Sequence, residues 1–558
     1  MSECTLPPRV APPGRWASLL LVGATALLVA LPTLGGDFLA DDFAYVRLGP
    51  RPLADFLRFG DLTEEAWGGN RPLDEPRPLF GLTYKLDAVL FGAANPVGLH
   101  ATNIALHVAS SLAVVLLAEL LVAAPAWTPL LAGLLFAVAP AHAEPIAWVT
   151  GRVDSLSTLL FVAAFIFYLR HDRDGRARDR WLALVALALG LLAKETMATL
   201  PLVLLLWEAL RATGALPRER LARFLRRARN LVPLLLAVGL YAGLRLLSFG
   251  SFAREERLSL ARGLEFLDRQ LYYVKYLIVP FPDILDGSGA DLASKLLAGA
   301  VLAVFAAGAL ALVRRREALR QVLFFGFVFQ AVTILPLLMT YRSARHLYLP
   351  SVGFAIATAF LLLPPLTRPS RWRLTAAAFL VAIFARQLLV LEGPWLAAED
   401  VSRRVRAGVF ALTQDLSPDA IVLLPDVPLS KDGVLGWEYA LPFALQPPFV
   451  ARDVAASVRL LEHPGLYCCP ARAWWQARRP ILLGLVADEA GGARELVLLT
   501  WNPGRKAVVR HRARLAPAEI RRVIEEALGT SLEAAGEIDT REGARIVRAL
   551  ALAVRHSS

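Results

Sequence analysis

Eleven apolar runs, most of them close to twenty residues long, dominate this chain: 16–34, 100–122, 129–147, 155–170, 181–194, 197–211, 231–248, 291–313, 321–341, 347–365 and 373–391. A helix needs about 20 apolar residues to cross a bilayer, and backbone surrounded by lipid must satisfy its own hydrogen bonds. The pattern therefore predicts an all-α polytopic membrane protein with about eleven transmembrane helices. The short runs 181–194 and 197–211 read as a hairpin with "AKET" at its tip. Only 19% of the 558 residues are charged, against about 25% in a soluble domain. The net charge of +12 comes from arginines gathered in short segments between the apolar runs. That placement favours a role in membrane topology over nucleic-acid binding. The expected partner is the lipid bilayer, with no nucleic acid.

The arginine-rich segments 170–180, 211–230, 314–320 and 368–373 fall on one side if the N-terminus lies in the cytoplasm, as the positive-inside rule requires. No small-residue cleavage signal follows the first run, so it reads as an uncleaved helix. The outer side then receives 35–99, 142–154, the Lys194–Glu195 tip, 249–290, 342–346 and everything after about 392. Within it, 264–282 reads as a helix lying in the interface. We divide the chain into a transmembrane domain, 1–395, with its first outer loop at 35–99, and an extracytoplasmic, soluble α+β domain, 396–558. In the latter, "AIVLLPDVPL", "PILLGLVAD" and "ELVLLTW" read as strands, "WNPGRK" as a turn, and 516–529 and 541–555 as amphipathic helices. Cys4, Cys468 and Cys469 are too few for a disulfide framework.

"PTLGGDFLADDFAYV" (32–46) places Asp37, Asp41 and Asp42 directly after the first apolar run. "PAHAEPIAWVTGRVDS" puts His142, Glu144, Arg152 and Asp154 at the same expected depth. Lys194 and Glu195 join from the hairpin tip, and Arg342, Arg345 and His346 from "YRSARHLYLP". Ionisable residues near spans are costly and often functional. Carboxylates can take a proton from an attacking hydroxyl, and Arg, Lys and His can stabilise a leaving phosphate. The same residue types fit a transporter or flippase of lipid-linked sugars, or a polar network that ties helices together. His100, Asn103 and His107 share one helix face and read as packing. A divalent metal beside the acidic pair is chemically compatible, but no ligand spacing supports one.

Five stretches occur in a fixed order: "GGDFLADDFAYV", "NPVGLHATNIALHVASSLAVVLLAELL", "PAHAEPIAWVTGRVDSLSTLLFVAAFIFYLR", "LLAKETMATLPLVLLLWE" and "ARHLYLPSVGF". Over residues 15–395 the chain resembles the transmembrane-and-TPR-containing O-mannosyltransferases and their bacterial relatives. These are GT-C glycosyltransferases, akin to the protein O-mannosyltransferases. The resemblance implies a membrane enzyme, in a bacterium one of the inner membrane. It would transfer a sugar, mannose in the namesake enzymes, from a polyprenyl-phosphate donor to a hydroxyl of a protein, lipid or glycan acceptor, with inversion. It makes Asp41 or Asp42 the general base. Arg152, Lys194 and Arg345 become candidates to hold the donor phosphate, and His142, Glu144 and Asp154 candidates to shape the site. Two departures stand out. The segment "SARHLYLP" has Ala344 and His346 where relatives often carry an acidic residue with Arg, and the α+β segment stands in place of a TPR array.

Overall fold

The structure, a computed structural model, describes residues 12–56, 77–122, 127–212, 217–249, 260–285, 291–312, 316–339, 342–365, 369–417 and, with short interruptions, 420–557. Cys4, Cys468, Cys469 and the middle of the first outer loop, 57–76, lie outside the described residues.

The eleven apolar runs all form helices. Among the described residues seven helices are long and apolar enough to cross a membrane. An eighth span arises if Thr128–Ala137 and Pro140–Ala147, bent by 44°, are taken together. The other three are Ala177–Leu191, Leu200–Arg211 and Pro350–Leu362. At 1.5 Å per residue they reach only about 20 Å, short of a hydrocarbon core of roughly 30 Å. The chain is an integral, multi-pass membrane protein. The helix Leu260–Ile278 is not one of the seven, because charges interrupt its apolar face.

Local chemistry sets the boundaries that matter for the site. Asn95 caps the helix Pro96–Leu121 by accepting from the Gly98 amide at 3.3 Å, with Pro96 at the first position. Pro140 and Pro145 cannot sit in a continuous helix. Residues 140–151 accordingly break into three short turns before the helix Arg152–Asp174 begins. That helix ends at Gly175, whose φ of +70° is the left-handed conformation of a helix C-terminus.

The C-terminal part contains a mixed four-stranded sheet ordered 459–462, 421–424, 494–502, 507–515. Its first two contacts are parallel and the last antiparallel. The stretch "PILLGLVAD", expected as a strand, instead ends the helix Ala471–Val486. Trp474, Trp475, Leu482, Leu485 and Val486 are its buried residues, and three- and four-residue steps are the period of a helix. The central strands are buried on both sides, and alternation sorts their residues. Ile421, Leu423, Leu496 and Leu498 pack with the helices Pro517–Leu528 and Thr540–Ser557. Val422, Leu424, Val497 and Leu499 share a core with Phe38, Phe43, Tyr45, Phe80 and Tyr84 of the first outer loop. The long helix Arg371–Thr413 connects the two parts, and the boundary expected at 395 falls within it.

Candidate active site

The segment 37–42 is held from four directions. Asp37 is buried and both its oxygens accept from Arg406 Nη2, at 3.0 and 2.9 Å. Its carbonyl lies 3.2 Å from His100 Nε2, which therefore donates. Ser402 donates to the Phe38 carbonyl at 2.7 Å and Trp148 Nε1 to the Leu39 carbonyl at 3.3 Å. A Cβ at Gly36 would collide with Glu399 and with His100, so the second glycine of "GGDF" lets the chain pass between them. Ala40 has φ of +41°. This conformation costs a non-glycine residue about 1–3 kcal/mol and persists only where its surroundings impose it.

Asp42 is 0% exposed. Its Oδ1 accepts from the Thr150 amide at 2.8 Å and the Thr150 hydroxyl at 2.6 Å, and Oδ2 from the Leu39 amide at 2.9 Å. Burial pushes its carboxyl up to about 7 against those three donors, with the neighbouring Asp41 charge adding to the rise. Asp41 is the partly exposed member of the pair. Asp42 thus ties the loop to residues 149–151, and Asp41 is carried on the tied loop.

Arg152 explains why the 149–151 turn can bear this load. It is 0% exposed. It pairs with Asp87, donates to Asn103 Oδ1 at 3.0 Å, to the Val149 carbonyl at 3.2 Å and to the Leu99 carbonyl at 2.8 Å, and stacks on Tyr84 at 4.7 Å. Asn103 donates to the Trp148 carbonyl at 2.9 Å, and the Tyr84 hydroxyl lies 3.2 Å from that of Thr150. Arg152 therefore reaches Asp42 through Thr150, but it stands inside the protein rather than at a surface where a donor would arrive.

The remaining expected residues form a second group. Lys194 pairs with Asp154, both buried. Glu195 pairs with Arg77 at 2.9 Å on the rim. Glu144 accepts from Ser343 at 2.8 Å, lies 3.5 Å from Arg345, and is within electrostatic reach of Asp154 and Lys194. Arg345 stacks on Trp148 at 5.0 Å, which links this group to the aspartate loop. Arg342 is exposed above Tyr272, 4.2 Å from the ring. His346 contacts the Tyr273 hydroxyl at 3.0 Å. Burial, with Arg345 and Lys194 nearby, lowers it well below the ordinary imidazole range, which keeps it neutral. His142 does not join them. It bonds Ser351 at 2.8 Å and packs with Phe136, Tyr348 and His107 inside the bundle.

Six contributors had no assigned role in the sequence reading: Asp37, Asp87, Thr150, Glu399, Ser402 and Arg406. Asp87 carried a signal, since one carboxylate in the apolar run "PLFGLTYKLDAVLF" calls for a buried partner. Arg406 carried none, being one arginine among several in "SRRVRAG". Glu399 lies 3.9 Å from His100 and adds a third carboxylate beside Asp37 and Asp42. Among the described residues, no three His, Cys, Asp or Glu side chains come together as a metal ion would require.

The chain is similar to protein O-mannosyl-transferase Tmtc2 of Drosophila melanogaster, with 33% identity over 209 residues that cover 35% of this chain and 22% of the relative. It is similar as well to protein O-mannosyl-transferase TMTC1 of Homo sapiens, 38% identical over 172 residues, covering 30% and 19%. The resemblance read from the sequence is borne out, and the matched segment spans about a fifth of those relatives' length. No family model matches the chain. Among solved structures, ArnT from Cupriavidus metallidurans bound to undecaprenyl phosphate superposes with a TM-score of 0.45 and 14% identity, covering 88% of this chain and 93% of that one.

Proposed function

We propose that the chain is a membrane glycosyltransferase that moves a sugar from a polyprenyl-phosphate donor to a hydroxyl of a protein, lipid or glycan acceptor. The observation that carries this reading is the division of labour in the aspartate pair. Asp42 is sealed and accepts three donors, while Asp41 stays partly exposed on a loop that cannot drift. A base must reach the proton it removes, which assigns that role to Asp41 and positioning to Asp42. Asp41 takes the acceptor hydroxyl proton as its oxygen bonds to the anomeric carbon. The bond from that carbon to the phosphate oxygen breaks on the opposite face, and polyprenyl phosphate departs. Arg342, which is exposed, and Arg345, which is partly exposed beside it, receive the leaving phosphate's charge. Lys194 and Arg152 hold the walls. We place this face outside the cytoplasm and the arginine-rich segments inside, with the chain in a bacterial inner membrane.

The test uses the purified full chain, radiolabelled polyprenyl-phosphate sugars and a membrane extract as acceptor. Donor consumption by the wild type and a loss of about 10²–10⁴-fold in Asp41→Asn are expected. No donor consumed would overturn the enzyme reading, and an active Asp41→Asn would overturn the assignment of the base.

A further inference from the structure

At the membrane face opposite the aspartates, five helix ends surround a cavity of about 590 Å³. The helix Arg152–Asp174 joins the two places. From Arg152 to Arg173 it rises about 30 Å, one bilayer core. Arg173, Arg211, Arg227 and Arg320 line the cavity with Asp172 as the carboxylate on its wall, and Arg173 pairs with its exposed neighbour Asp174 at 2.8 Å. Behind that wall the fully buried Glu208 accepts from the Tyr168 hydroxyl at 3.2 Å, from Arg211 Nη1 at 3.3 Å and from Arg227 Nη1 at 2.9 Å. Asp172 Oδ2 accepts from the same two Nη1 atoms, at 2.7 and 3.5 Å. Both guanidinium groups are thus fixed through one nitrogen by carboxylates set behind and beside the opening. Arg320 is fixed by donating to the Leu210 carbonyl.

Apart from Gln321 the rest of the lining is apolar: Leu120, Leu121, Leu169 and Leu210, with the Trp207 ring 5.7 Å from the Arg211 guanidinium. A bare inorganic anion would leave that apolar wall unused. A phosphate with hydrocarbon attached would use both halves. The neighbouring helix Pro217–Ala228 provides a separate indication. It buries none of its residues in the protein, Leu221 and Leu225 are 57% and 56% exposed, and the same helix carries Arg218, Arg220, Arg223, Arg226 and Arg227. Leucines and arginines exposed together on one helix suit a membrane surface rich in anionic lipid.

We propose that this cavity is a binding site for the phosphate headgroup of an anionic membrane phospholipid, with its acyl chains leaving along the leucine wall. The full chain, purified in a neutral detergent, would be titrated with phosphatidylglycerol, phosphatidylcholine or inorganic phosphate. Binding would be read as the rise in Tm and as lipid retained in native mass spectra. Phosphatidylglycerol should raise Tm and be retained, whereas phosphatidylcholine and inorganic phosphate should do neither. The double variant Arg173→Gln/Arg320→Gln should weaken phosphatidylglycerol by about tenfold or more, and Arg320→Lys by less. Should the double variant fail to fold, 0.5 M salt on the wild type takes its place and should weaken phosphatidylglycerol selectively. Equal responses to the two lipids, or a variant or salt effect of zero, overturn the proposal. An equal response to inorganic phosphate would identify a free anion as the ligand and overturn the lipid assignment.

Discussion

The helix Arg152–Asp174 has charges at both ends, and the two ends differ in how those charges are balanced. At the aspartate end each enclosed cation faces its own carboxylate: Arg152 with Asp87, Lys194 with Asp154, Arg406 with Asp37. These pairs are largely or wholly sealed, and their work is to fix where Asp41 sits. At the far end four arginines line one cavity against three carboxylates, Asp172 on its wall, Glu208 behind it and Asp174 beside Arg173, so one cation is in excess. Matched and buried charge yields geometry; surplus charge beside a void yields a place for a ligand. The presence of charged residues along the chain does not separate these cases, because both ends carry charges of both signs.

The contrast is open to direct attack, first at the aspartate end. Asp41→Asn should remove about 10²–10⁴ of the transfer rate with no change in Tm, since its neighbour bears the structural load. A matching loss of Tm in thermal unfolding would mean that the pair is not divided as described. Arg152→Met should do the reverse. Stranding the buried Asp87 carboxylate costs about 3–5 kcal/mol, seen as a large fall in Tm. In the double variant Arg152→Met/Asp87→Leu much of that loss should return, since an apolar replacement of a buried pair is often tolerated. Arg406→Gln should lower the rate by about tenfold, the worth of a charge-assisted hydrogen bond, with the donor KM little changed. An altered KM alone would place Arg406 in donor binding instead.

The smallest effect concerns pH. Burial raises the folded-state pKa of Asp42 to about 7, above the unfolded value near 3.9. The folded chain therefore holds this proton more tightly than the unfolded one. The associated stability is complete below about pH 4 and is lost as pH rises through 7, at no more than about 1.4 kcal/mol per unit. Plotted from pH 6 to 8, Tm should fall more steeply for the wild type than for Asp42→Asn. Parallel slopes would remove Asp42 from the titration.

The membrane helices were legible because lipid imposes one rule on every residue of a span, so local composition suffices. The aspartate loop was legible as a location, since acids directly after an apolar run have few bland explanations. Its mechanics were not. Asp37 finds Arg406 across 369 positions of sequence, and no local pattern reports a pairing of that range. Arg152 showed the opposite failure: its residue type suits a phosphate ligand, and only burial reveals that its donors are already engaged. The strand expected at 480–488 went astray for a related reason. A short Leu-rich run fits either element, and the two tryptophans that settle its period lie outside it.

The clamp on the aspartate loop has a consequence in time. Residues 37–42 leave the ribosome early, while Ser402 and Arg406 follow 364 and 369 residues after their partners. At about 5–20 residues per second, the loop waits roughly 20–70 s for its clamp. During that interval His100 and Thr150 already reach the loop, but the two residues of the long helix that complete its clamp are missing. Chains arrested before residue 400 should insert normally and transfer no sugar, whereas those released beyond the sheet should begin to.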